Sequence, residues 1–205
     1  MSSFTYNPAS ISHLESMLSS DRFETYVKLA SGNKRKALRL YKKNILISHR
    51  FYTIIHILEV CLRNKIDECL IKRFGSNWYE NQKLGLSLVQ SKMLKEIPKD
   101  EKRGKVIASL PFGFWSSFFG RSFELLWRQN IRFIFNEEIP LKRSNIAAYL
   151  KDIRILRNRI AHHECILKMD VHGLEKGAIE FLTLLSPITA AWLKAELLNS
   201  AIPLV

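Results

Sequence analysis

Between residue 34 and about residue 74, apolar side chains recur with the period of a helix. Phe51, Ile54, Ile55, Leu58, Leu62, Ile66 and Leu70 stand three or four residues apart. This stretch is read as one long core helix, with a bend expected near 44–48. "SHLE" and "DRFE" each place Ser or Asp three residues before Glu and open two short helices ahead of it. Residues 74–85 read as a loop, 88–97 as a short helix closed by Pro98, and "KDEKRGK" as a solvated turn. "SLPFGFWSSFFGRSFELLWRQNIRFIF" is expected to settle into an aromatic-rich helix that stops before Pro140. A helix over about 144–167 follows, then one over 174–198 interrupted at Pro187. The fold class is therefore all-α, an antiparallel helical bundle with additional short helices.

Only 8 Gly and 6 Pro leave few of the turn signals an all-β chain needs. The 205 residues contain neither a Gly/Ser linker nor a composition shift, so a single domain over 1–205 is expected. The N-terminal "MSSFTYNPAS" has no apolar signal core, and "AIEFLTLLSPITAAWL" is short and contains Glu180 and Pro187, so no membrane span is expected. Cys61 and Cys69 lie eight residues apart on one helix, about 12 Å along its axis, beyond disulfide reach. Free thiols and a reducing cytoplasm follow as expectations.

A formal charge of +13 favours polyanionic partners, nucleic acid first among them. "NKRKALRLYKK" gathers Lys34, Arg35, Lys36, Arg39, Lys42 and Lys43, which either track a phosphate backbone or form a solvated helix face. The run from Phe112 to Trp127 could stack on bases, although aromatics at helical spacing usually belong to a core.

The densest chemistry is "RNRIAHHE" at 157–164. Consecutive helix residues point about 100° apart, so His162, His163 and Glu164 cannot grip one ion together. The two-His spacing of a zinc-protease helix is absent, and neither a metal nor another cofactor is expected. Cys165 as a nucleophile has only proximity in its favour. Phosphodiester cleavage fits better. An imidazole moves protons at the attacking or leaving oxygen, a guanidinium stabilises the charge on phosphorus, and RNA brings its own 2′-OH nucleophile.

On a regular helix His163 falls on the core side and His162 faces outward, about 140° from Arg157. A distorted helix or a second copy of the chain is then needed to join Arg157 to His162. Leu-Arg-Asn also occurs in "EVCLRNKI" at 59–66. A polar layer made of Glu59, Arg63, Asn64, His163 and Glu164 is therefore expected to link the two helices, the alternative being chance recurrence and ordinary surface pairs.

"RNRIAH" fits the pattern of Arg, four to six residues and His that marks the HEPN superfamily of helical-bundle proteins, many of them metal-independent ribonucleases. With "ILEVCLRNKID" upstream and "LPFGFWSSFFGRSFELLW" between, the chain resembles the Abi-like (abortive infection) proteins over about 20–190. The resemblance implies a HEPN-like bundle. It makes Arg157 and His162 a catalytic pair and Asn158 the polar residue beside them. Apart from the resemblance, Arg159 joins the cations of 34–43 as a candidate RNA contact. It also implies a homodimer whose two motifs line one cleft. The expected activity is cleavage of RNA, tRNA or mRNA, in an abortive-infection or toxin-antitoxin defence system, restrained by a protein or RNA antitoxin. The competing reading is a noncatalytic helical module that binds RNA or protein, its motif serving as a polar core layer.

Overall fold

The computed structural model describes residues 4–98, 101–135 and 141–199, and every regular element among them is helical. In chain order these are α1 (Pro8–Met17), α2 (Ser20–Leu29), α3 (Lys34–Phe74), α4 (Leu88–Lys95), α5 (Arg103–Ser109), α6 (Phe112–Ser117), α7 (Glu124–Gln129), α8 (Arg143–Ala161), α9 (Val171–Leu185) and α10 (Pro187–Asn199). Single 3₁₀ turns lie at Trp78–Glu80, Gln82–Leu84, Arg121–Phe123 and Ile131–Ile134.

The α3 helix runs unbroken through 44–48, for about 60 Å. Asn33 caps it by accepting the Lys36 N–H at 2.9 Å, and Gly75, at φ 86°, closes it. Its apolar stripe is the spine of the core, with Phe51, Ile54, Leu58, Leu62, Ile66 and Leu70 all fully buried. Each such side chain contributes about 1.5–3 kcal/mol by leaving water. Helices α2, α6, α8 and α9 pack against this spine, and α10 packs on α9. By length and composition alone α3 could cross a membrane, since its most apolar 18-residue window has mean hydropathy 1.5. In this fold α2, α6, α8, α9 and α10 all touch it.

Two buried polar networks tie distant segments to the spine. Arg50 donates to both oxygens of Glu175 on α9, at 2.8 and 2.6 Å, and to the Leu197 carbonyl on α10 at 3.2 Å. Asp67 accepts the Trp78 indole N–H at 2.7 Å and also pairs with Arg103 of α5. A second, smaller apolar cluster, Phe23, Tyr26, Ala30, Ala37 and Leu38, lies between α2 and the start of α3. Cys165 and Leu167 pack onto it, so α2 supports the chain that follows α8.

Three expectations need correction. The stretch 112–134 is not one helix but α6, α7 and two 3₁₀ turns. Phe112, Phe114, Trp115, Phe118 and Phe119 would share about 160° of a regular helix, and all five are at most 1% exposed. The break falls at Phe119 and Gly120, whose N–H groups donate to the Ser116 and Ser117 carbonyls at 3.2 and 2.8 Å, three residues back and not four. Those rings are core, with no face left for a base. The motif helix ends at Ala161 rather than near 167. The N-terminal helix begins at Pro8, where Asn7 and Ser10 form the capping box, rather than at Ser12. The expected stop before Pro140 and the start of the "KDEKRGK" turn lie outside the described residues.

Candidate active-site groove

Beside its buried stripe, α3 presents a second one at the same spacing: Ser48, His49, Tyr52, His56, Glu59 and Arg63. These line one wall of an open groove of about 810 Å³. The other wall is the C-terminal end of α8, with Arg157, Ile160 and Ala161, and His163 just beyond it. Ile45, Ile55 and Val60 give the groove an apolar floor between its charged groups.

Glu59 sits at the electrical centre. Burial pushes its carboxyl above the ordinary range, while the charges of Arg157, Arg63 and His56 and the facing Phe112 backbone N–H draw it partly back. Burial outweighs them. Arg157 is half-buried on α8, so the groove holds a guanidinium whose charge acts on a reluctant carboxylate without an ion pair between them.

The end of α8 aims His163. The Glu164 N–H donates to the Arg159 carbonyl at 2.8 Å and the His163 N–H to the Ile160 carbonyl at 3.0 Å, the two bonds of a Schellman stop. The left-handed residue in such a stop is usually Gly. Here it is His163, at φ 56°. A side chain in that conformation costs about 1–2 kcal/mol, so the surrounding structure must hold it there. Asn44, 5% exposed, accepts the Ile166 N–H at 2.8 Å and donates to the Glu164 carbonyl at 3.2 Å. Arg22 on α2 donates to the His163 carbonyl at 3.2 Å, and Arg159 to the Cys165 carbonyl at 3.4 Å.

Of the residues singled out in the sequence, Arg157, His163, Glu59 and Arg63 meet in this groove. His163 is exposed there, not on the core side of a longer helix. His162 caps α8 through its N–H, which donates to the Asn158 carbonyl at 2.9 Å, and its side chain is exposed outside the groove. Asn158 is exposed as well. The polar layer is only partly assembled. Asn64 is exposed and accepts from its neighbour Arg63 at 3.4 Å, and Glu164 pairs loosely with Arg159 at 3.8 Å on the surface.

No family model, curated protein or solved structure matches the chain.

The cations of early α3 are all exposed. Lys34 pairs with Glu15 at 2.6 Å, and Arg35 lies over the Tyr6 ring, 5.5 Å from its centroid. Arg39, Lys42 and Lys43 continue the helix toward the groove's Tyr41 and Ile45. Among the described residues no group of three His, Cys, Asp or Glu converges as a metal site. Sequence reasoning missed Asn44, His49, Tyr52 and His56. For Tyr52 and His56 the signal was the run Ser48, Tyr52, His56, Glu59 and Arg63 at three- and four-residue steps, Tyr52 onward one position after the buried Phe51, Ile55, Leu58 and Leu62.

Proposed function

We propose that the groove binds RNA and cuts it as a metal-independent endoribonuclease. The observation that carries this is a guanidinium, Arg157, and an imidazole, His163, lining one open space with Glu59 and Arg63 between the helices. His163 accepts the proton of a 2′-OH, whose oxygen attacks the adjacent phosphorus. The 5′ oxygen leaves and takes up a proton, giving 2′,3′-cyclic phosphate and 5′-hydroxyl ends. Arg157 stabilises the extra negative charge on the phosphorane, and Glu59 orients Arg157. The exposed cations of early α3 and the +13 charge support an RNA substrate.

The resemblance to Abi-like HEPN proteins points the same way and supplies the biology: a HEPN-like bundle, a homodimer, and cytoplasmic RNA cleavage in phage defence under an antitoxin. It gives the imidazole role to His162, which then needs a second copy of the chain to meet an Arg157. The groove gives it to His163 within one chain. Total RNA incubated in EDTA with the parent, His162→Ala and His163→Ala proteins separates these, with cut ends read by chemistry. Loss of cleavage in His163→Ala alone fits the single-chain groove, and loss in His162→Ala alone fits the paired arrangement. RNA left whole by the parent rejects the enzyme. One observation favours the noncatalytic reading: the backbone of the motif already serves to end α8 and anchor its loop. Under that reading both variants lower the melting temperature and any RNA binding together.

A further inference from the structure

In a chain whose Trp and Phe side chains are mostly buried, Tyr52 is 67% exposed. It stands on the groove wall with its ring against His56, centroids 6.4 Å apart and planes 25° from parallel. His56 in turn neighbours Glu59, and Glu59 neighbours Arg157. Seven residues separate Tyr52 from Glu59, about 10 Å along α3. The α3 wall thus runs from a flat aromatic surface to a carboxyl within the field of Arg157 on the facing wall, a span within the reach of a short stretch of extended strand.

We propose that Tyr52, backed by His56, is a base-stacking shelf that restricts the groove to single-stranded RNA, an unpaired base lying on the ring while its phosphate reaches Arg157. The inference rests on the ribonuclease reading and adds the form of the substrate and the residue that selects it. A base can lie on the ring only after leaving its own stack. Double-stranded RNA keeps its bases paired and offers a protein mainly its sugars and phosphates. The cations of α3 attract either form, whereas the shelf serves only one. Stacking tolerates any base, so the shelf sets strandedness rather than sequence.

The test uses a 12-nucleotide RNA made with 2′-O-methyl groups so that it binds without being cut, labelled for fluorescence anisotropy, alone or annealed to its complement. Parent protein should bind the single strand more tightly than the duplex. Tyr52→Ala, at an exposed site that leaves the core intact, should weaken single-strand binding by about 5- to 150-fold and leave duplex binding unchanged. Tyr52→Trp should restore it, and Arg157→Ala should weaken both. If Tyr52→Ala binds the single strand as the parent does while Arg157→Ala does not, the shelf is wrong and the RNA groove stands. If the parent binds neither form, the shelf falls together with the ribonuclease reading.

Discussion

Arg50 with Glu175 and Arg157 with Glu59 are the same two side-chain types in two settings, the first an ion pair at 2.6 Å and the second coupled only through its charges, and α3 supplies one member of each. Arg50 is 2% exposed and spends its donors on two carboxylate oxygens and a main-chain carbonyl. Its partner comes from α9, so the pair locks the C-terminal helices to the spine. Arg157 is half-buried, borders open space, and faces a carboxyl whose burial opposes its charge. A saturated pair holds a fold together. An unsaturated one keeps donors for a ligand.

The largest expected effect breaks the first pair. Arg50→Ala strands the Glu175 carboxylate and should cost about 3–5 kcal/mol, read as a lower midpoint in urea. Arg157→Ala should cost at most about 1 kcal/mol, because its site is wet and Arg63 still faces Glu59. It should nonetheless lower RNA cleavage by about 10²-fold or more. Equal losses of stability in the two variants would erase the contrast.

Next comes Asn44, which holds the groove side without an ion pair. Asn44→Ala removes two hydrogen bonds and leaves the Ile166 N–H buried without its acceptor, at about 1–3 kcal/mol. Its distinctive sign is local. The Ile166 amide should exchange faster with solvent than the amides of α9, and cleavage should fall because His163 is no longer aimed.

The helical class and the spine were legible because a stripe repeated at three and four residues over forty positions has only one economical reading. Pro187 and Pro98 marked their boundaries for the same kind of reason. The end of α8 was not legible. A helix stop is read from Gly or Pro, and this one is made by a histidine in a glycine's conformation, held there by Asn44 from 119 residues earlier. The wheel drawn through His162 and His163 therefore assumed a helix that had already ended. The aromatic stretch misled differently. Its spacing fits one helix face, and the break at Phe118–Gly120 carries only a glycine, which a helix tolerates. Arg157, Glu59 and Arg63 could be found because charges among apolar positions stand out. Tyr52 and His56 are each ordinary surface alone, and only their shared spacing with Glu59 and Arg63 marks them.

The strain at His163 offers a sharper comparison, because its sign is reversed. His163→Gly suits φ 56° and should stabilise the protein by about 1 kcal/mol, raising the urea midpoint, while it removes the imidazole. Higher stability with loss of cleavage would mean that the groove side holds strain for chemistry, which the Arg50 side does not. A destabilised His163→Gly would mean that the imidazole is itself a structural contact.

The smallest expected effect concerns Glu59, and its pH dependence carries the sign. Its carboxyl is raised in the fold above the ordinary 4.5, so the folded protein keeps a proton that the unfolded chain has released. That contribution is fully present below the unfolded value and is lost as pH rises through the folded one. Glu59→Gln, which carries no charge to bury, should therefore melt slightly higher than the parent at neutral pH. The difference should close as pH is lowered toward 4. Melting temperatures of both proteins from pH 4 to pH 8 give the answer. A Glu59→Gln protein that melts lower at neutral pH would show attraction to Arg157 outweighing burial. The groove pair would then be a structural bridge like the one at Arg50, with its guanidinium committed to the fold and not to a phosphate.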